Sequence, residues 1–355
     1  MDTNYQEKKK IEIDDIQIGE LIASTHGEGT KIYRAYYNQK EYALKAVLRD
    51  SIETHLELEH LMNERNALRE LSHPGINKML YILFTFILNI NLQFLIRIDT
   101  IKDDQYLYFL LEIVYGIPLH KLLQMHNKLN QGYVKLIAVQ IIKIIEYMHS
   151  QGYIYRDLKA SNIIVDQYGK VTLIDLGYTK KIENELTNSF CGTIHMIAPE
   201  LYDQNLEDKG YSYEVDVYSI GILIFELTTG CAPFGYDESN CKQKTLSGIN
   251  QEILNQIKDD KNLIDLISNL LEKDPKKRPK INSILNHPYF QSVDFKNIEL
   301  IVNGKTEQIP QEQLNKFHIF EYQEDINDFG LQKASELTQE EKEANKKLND
   351  IFSNF

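Results

Sequence analysis

Asp157 and Asn162 lie five positions apart in Tyr155-Arg156-Asp157-Leu158-Lys159-Ala160-Ser161-Asn162. These are the residue types that phosphoryl transfer needs in one loop. The Asp can take the proton from an attacking hydroxyl, and the Asn can ligate a metal that bridges nucleotide phosphates. Asp175 stands thirteen residues past Asn162. Between them, two apolar strand-like runs flank Asp166-Gln167-Tyr168-Gly169, a hairpin signal. A hairpin there folds Asp175 back toward Asn162 and sets two metal-ligating side chains at one locus.

The elements that must position these groups are legible on both sides. Upstream, Ile18–Ala23, Lys31–Tyr37 and Lys40–Val47 read as strands, the last two joined at Asn38-Gln39. Between the first two lies Thr25-His26-Gly27-Glu28-Gly29-Thr30, a glycine-bearing turn whose backbone N–H groups could approach phosphates. Lys45 sits on the third strand. A helix follows, with Leu58, Leu61, Met62, Arg65 and Leu68 at helical spacing. Gln131–Ser150 is a buried helix that delivers the chain to the Asp157 loop. Asp216–Gly230 is a second apolar helix, and residues 249–290 look helical. From 291 onward the sequence is polar, acidic and poorly periodic, which reads as a tail, and residues 1–17 read as a flexible lead-in. No internal repeat is visible.

With 355 residues and 43% hydrophobic content, the chain can hold two lobes and a tail. A formal charge of −13 argues against nucleic acid or an anionic membrane as the main partner. The three cysteines, Cys191, Cys231 and Cys241, lack metal-ligand spacing and read as thiols in a reducing compartment. Lys8-Lys9-Lys10 leads into Ile11-Glu12-Ile13-Asp14-Asp15, which is no signal-peptide core. Asp2 excludes N-myristoylation. The expectation is a cytoplasmic protein.

The order of these elements resembles a eukaryotic protein kinase over roughly residues 18–290. Arg156-Asp157-Leu158 with Asn162 matches R-D-L-x-x-x-N, and Ile174-Asp175-Leu176-Gly177 stands where that family keeps D-F-G. Tyr42-Ala43-Leu44-Lys45 is similar to V-A-I-K, and Ala198-Pro199-Glu200 to A-P-E. Several details resemble the AGC group, especially its cyclic-nucleotide-dependent members. These are Tyr155 in place of His, Glu59-His60-Leu61-Met62-Asn63-Glu64, Phe190-Cys191-Gly192-Thr193, and the terminal Phe352-Ser353-Asn354-Phe355. The resemblance implies an α+β, bilobal protein-kinase fold. A small antiparallel β-rich N-lobe with one main helix (18–114) would precede a larger, mostly helical C-lobe (115–290). A C-terminal tail ending in a hydrophobic motif (291–355) would follow.

The resemblance also implies roles. ATP and Mg²⁺ would be the cofactors of a serine/threonine kinase acting on a protein substrate. Asp157 would orient the substrate hydroxyl as base and Lys159 would steady the γ-phosphate. Asn162 and Asp175 would hold Mg²⁺, and Lys45, paired with Glu64, would set the α/β-phosphates. Gly27, Gly29, Thr30, Ile32, Ala43 and the inter-lobe link with Glu112 and Val114 would contact the nucleotide. Glu200 would pair with Arg278 structurally, and Asp216 would hold the catalytic loop through its backbone. Ser189, with Thr187 as second choice, would be the activating phosphosite, encircled by Arg156, Lys180 and His60. An upstream kinase or a separate regulatory subunit would be partners.

Departures are informative. Leu176 replaces Phe, an apolar swap. Ile194-His195-Met196 replaces Pro-Glu-Tyr beside the acceptor. Pro118 and Ser161 stand where the cyclic-AMP-dependent kinase has acidic residues that read an upstream Arg, while Glu226 is kept. The glycine loop fits G-x-G-x-x-G only with a gap. Residues 82–99 add an apolar run, Ile82–Leu88, then an alternating stretch, Asn89–Phe94. The alternation fits a strand better than a membrane span, so no stable membrane insertion is expected. Without 82–99 the strand pair Asn77–Tyr81 and Tyr106–Leu111 is uninterrupted, so the segment reads as an insertion: an apolar hairpin, or translated sequence absent from the mature protein. The competing functions are a pseudokinase scaffold or allosteric partner, and a small-molecule kinase of related fold.

Overall fold

A computed structural model describes residues 11, 13–24, 29–52, 54–84, 106–182, 186–203, 209–257 and 260–309. These divide into two compact units. The first contains the described residues up to Arg49 with 81–84 and 106–110; the second contains those of 50–80 and 111–309.

Strands β1 (Gln17–Ser24), β2 (Thr30–Tyr37), β3 (Lys40–Leu48), β4 (Met79–Phe84) and β5 (Tyr106–Glu112) form a sheet in the order β1-β2-β3-β5-β4. The β2–β3 hairpin closes tightly because Asn38 and Gln39 both adopt positive φ, 48° and 62°. Two such residues give a turn whose twist matches that of the strands. Its register pairs Ile32 with Lys45 and Arg34 with Ala43, so Thr30, Ile32, Ala43 and Lys45 share one sheet face. The other face presents Tyr33, Ala35, Leu44 and Ala46 to a core completed by Tyr108 and Leu110. Ile11, Ile13 and Ile16 are buried in that core too. The described part of the lead-in is therefore packed: its alternating isoleucines gain more by leaving water than a loose end would. β4 runs through Phe84, three residues into the 82–99 segment. The remainder of that segment lies outside the described residues, as do Gly27 and the terminal hydrophobic motif.

In the second unit, α1 (His55–Glu70) starts at a capping box: Thr54 Oγ1 accepts from Glu57 N–H, and the Glu57 side chain accepts from Thr54 N–H. This helix touches β10 (Lys180–Lys181) and clusters with the second unit, whereas the sequence groups it with the small lobe. The rest of the second unit is mostly helical. It comprises α2 (Leu119–His126), α3 (Gln131–Ser150), α4 (Glu214–Thr229), α5 (Glu238–Ser247), α6 (Lys261–Leu270) and α7 (Phe295–Val302). α3 begins at Asn130, whose side chain caps Tyr133 N–H, and α4 ends at Gly230 in the left-handed region. Residues 275–290 form 3-10 turns rather than one longer helix. α7 corrects the expectation of a tail from 291: Asp294 caps it, and Ile298 and Ile301 are buried. Among the described residues, no helix is long and apolar enough to cross a membrane.

The expected structural ion pair is present. Arg278 Nη1 and Nη2 donate to Glu200 Oε1 and Oε2 at 2.6 and 2.7 Å. The same guanidinium donates to the carbonyls of Glu272, Glu214 and Lys273 and lies over the Tyr218 ring. With its side chain wholly buried, removal would strand Glu200 without its cation. Arg278→Met should therefore destabilise the second unit by about 3–5 kcal/mol, read as a lowered midpoint in urea unfolding.

Candidate active site

β8 (Ile163–Val165) and β9 (Val171–Leu173) pair antiparallel, with Ile163 opposite Leu173. The turn between them is built by Asp166, whose Oδ1 accepts from Tyr168 N–H and Lys170 N–H at 2.8 and 2.9 Å, with Gly169 at φ 80°. Ile174 N–H then donates to Asn162 O at 3.1 Å. The hairpin thus sets Asp175 one residue beyond the strand-end contact with Asn162, as the turn signal predicts.

Asp157 is 3% exposed. Its Oδ2 accepts from Asn162 Nδ2 at 2.8 Å and pairs with Lys159 Nζ at 2.8 Å. Its Oδ1 accepts from Thr193 Oγ1 at 2.7 Å, and Lys159 Nζ also donates to Thr193 Oγ1 at 3.0 Å. Burial pushes the Asp157 carboxyl above the usual aspartate range, against the charge and hydrogen bond of Lys159 and the Thr193 hydroxyl; Asp175 adds a smaller upward push. Asp175 Oδ1 accepts from Gly177 N–H at 2.9 Å. Because Asn162 spends its Nδ2 on Asp157, its amide oxygen remains for a hard cation. An amide oxygen with an aspartate suits Mg²⁺.

The loop is fixed from below by Asp216, which is fully buried. Its Oδ2 accepts from Tyr155 N–H and meets His149 Nε2, both at 2.8 Å, and its Oδ1 accepts from Arg156 N–H at 2.8 Å. Arg156 adopts φ 71°, a left-handed conformation costly for a side-chain-bearing residue. Gly192, at φ 111°, lets a second segment approach: a Cβ there would stand 2.8 Å from Arg156 O.

That second segment carries the predicted phosphosite. Arg156 Nη1 donates to Ser189 Oγ at 2.6 Å and to Tyr211 Oη at 3.1 Å, and Arg156 Nε donates to Tyr178 O. Tyr211 Oη donates to Ser189 O at 2.6 Å. Lys180 Nζ meets Glu59 Oε1 at 2.7 Å, and the His60 ring sits edge-on to Tyr178 at 4.8 Å. Burial and then the Arg156 charge hold His60 below the usual histidine range. Arg156 Nη2 and His60 Nε2 are both buried with no hydrogen-bond partner among the described residues. Thr187 is buried and bridged to Tyr211 through both backbone groups, so it is the less accessible hydroxyl.

The described predicted residues thus fall into five places. Asp157, Lys159, Asn162 and Asp175 lie on the β8–β9 hairpin and its approach, and Arg156, Ser189, Thr187, Lys180 and His60 are grouped around Tyr178 and Tyr211. Glu64 is buried on α1. Glu112 N–H donates to Lys78 O at the end of β5, with Val114 just beyond. Thr30, Ile32, Ala43 and Lys45 belong to the first unit, where Gly29 O accepts from Leu48 N–H. Two contacts lie outside the predicted set: Tyr211, which no local pattern announces, and Thr193, which closes the Phe190-Cys191-Gly192-Thr193 motif without that motif indicating its bond to Asp157.

A family profile for the protein kinase domain matches residues 25–290. The chain belongs to the protein kinases. It is 31% identical over 261 residues, 72% of its length and 53% of the relative's, to a RAC family serine/threonine-protein kinase homolog of Dictyostelium discoideum. To a human cAMP-dependent protein kinase catalytic subunit it is 34% identical over 251 residues, 68% of this chain and 62% of that one. To cAMP-dependent protein kinase type 3 of Saccharomyces cerevisiae it is 28% identical over 330 residues, covering 91% and 77%. The chain spans about half the length of several of the curated relatives it matches. These matches agree with the AGC resemblance, and the antiparallel sheet followed by a helical region is the α+β kinase fold.

The Asp157 carboxyl should titrate above the ordinary aspartate range. Lys159→Met, which removes its nearest cation, should raise it further, since less positive charge favours the protonated form. Carboxyl ¹³C titration by NMR checks this; an unshifted Asp157, or a fall in the variant, would contradict it.

Proposed function

We propose that this chain is an ATP- and Mg²⁺-dependent serine/threonine protein kinase. The observation that carries the reading is the Asp157 carboxylate, buried yet met by Asn162, Lys159 and Thr193. A carboxylate held there is oriented to accept the proton of an incoming hydroxyl. Lys159 is placed to neutralise charge on a transferring phosphoryl group, and Thr193 holds both residues in register. Asn162 and Asp175 would hold Mg²⁺, which when bound screens the charge of the phosphates. Lys45 with Glu64 would set the α/β-phosphates, with the backbone at Glu112 and Val114 gripping the base.

Activation would follow phosphorylation of Ser189 by an upstream kinase. Its hydroxyl already contacts Arg156, and two buried nitrogens without partners among the described residues, Arg156 Nη2 and, in its Nε2–H tautomer, His60 Nε2, are what added phosphate oxygens would satisfy. A separate regulatory subunit fits the resemblance to cyclic-nucleotide-dependent enzymes. The three free thiols support a reducing, cytoplasmic setting. With Pro118 and Ser161 in place of acidic residues, the preference for basic substrates should be weak.

Asp157→Asn should lower phosphoryl transfer by about 10²–10⁴-fold while leaving nucleotide binding intact. Turnover equal to wild type would refute the assignment. Ser189→Ala should lower turnover, and mass spectrometry of active enzyme should find Ser189 phosphorylated; a bare Ser189 in fully active protein would remove the switch.

A further inference from the structure

Glu226, in the last turn of α4, is 7% exposed, and burial raises its carboxyl above the usual glutamate range against the hydrogen bond from Tyr236. Tyr236 Oη donates to Glu226 Oε1 at 2.7 Å and accepts from Ala232 N–H at 3.2 Å. The Tyr236 residue is nonetheless 55% exposed. Its hydroxyl is thus turned inward and its ring lies outward, a lid over the carboxyl. His195 meets that ring edge-on at 4.9 Å. His195 is half-buried, and that partial burial, with the charge of Lys159 as a smaller cause, holds it below the usual histidine range. Two residues before it, Thr193 binds Asp157. One short segment, residues 193–195, thus contacts Asp157 at its first residue and Tyr236, the partner of Glu226, at its last.

We propose that Tyr236 sets the peptide preference beside this segment: by capping Glu226 it withholds the carboxylate from basic side chains and, with His195, offers an aromatic face to an uncharged apolar side chain flanking the acceptor serine or threonine. The inference rests on the protein-substrate reading above. Its physical basis is competition for one acceptor. A guanidinium pairing with both oxygens of Glu226 must displace from Oε1 an internal phenol that also satisfies Ala232 N–H, so the gain of a bidentate charge-assisted pair is offset by two lost bonds. Tyr236→Phe keeps the ring and removes the cap.

The test is binding to the full chain, by fluorescence anisotropy, of two serine peptides with either arginine or leucine at the flanking positions. Wild type should bind the leucine peptide at least as tightly as the arginine peptide. Tyr236→Phe should shift the ratio about tenfold toward arginine, the gain of one charge-assisted hydrogen bond. Adding Glu226→Gln to that variant should return the ratio to wild type. The inference is overturned if wild type favours arginine about tenfold and Glu226→Gln removes the preference. It is also overturned if Tyr236→Phe, with unchanged thermal unfolding, leaves the ratio where it was, or if neither peptide binds any variant. Phosphate transfer from ATP to the same peptides is followed in parallel. Shifted binding without transfer would contradict the kinase reading and leave the role of Tyr236 standing.

Discussion

A single buried carboxylate, Asp216, organises the site. An ionised group without solvent is tolerable only when its lone pairs are met, and here they are met by two consecutive backbone amides and a histidine. Those amides belong to Tyr155 and Arg156, and the second residue is held in a left-handed conformation. Strain of that kind, of order 1–3 kcal/mol, persists only when surrounding bonds over-determine it. The result is a loop whose next side chain, Asp157, has little freedom in where it points. The same fixed backbone aims the Arg156 guanidinium at Tyr178 O and Ser189.

From that anchor, two polar bridges tie the loop to the segment around Ser189. One runs through Thr193 to Asp157 and Lys159; the other runs through Tyr211 to Arg156 and Ser189 O. Both bridges tie the Asp157 loop to residues 189–193, so order in that segment and orientation of the carboxylate are linked. The arrangement has a stability cost. Burial holds the Asp157 carboxyl above the usual aspartate range in the folded protein, so its ionisation destabilises the fold as pH rises from the unfolded value through the folded one, and the cost is full above the latter. A site that works by holding a charge out of water accepts that cost.

Local chemistry made much of this legible from sequence. The Asp166–Gly169 turn, the Asn38-Gln39 hairpin and the Gln131–Ser150 helix each follow from residues adjacent in the chain. Contacts between distant residues were legible only through resemblance, as with Arg278 and Glu200, 78 positions apart. Others had no signal at all. Nothing near Tyr211 announces a partner, and Tyr236 looks like a loop tyrosine until its hydroxyl is found on Glu226. The burial of Ile11, Ile13 and Ile16 is not legible because the charged residues around them break any regular apolar period, and α7 because it is short and surrounded by polar sequence.

The measurement that bears most directly on this account is phosphoryl transfer from Mg·ATP to a serine peptide by Asp216→Asn. The amide keeps the size of the carboxylate but offers one accepting oxygen where Tyr155, Arg156 and His149 need two. The account requires transfer to fall by about 10²–10⁴-fold in a protein that still unfolds cooperatively and still binds nucleotide. Wild-type turnover in that variant would mean the Asp157 loop holds its geometry without Asp216, and would contradict it.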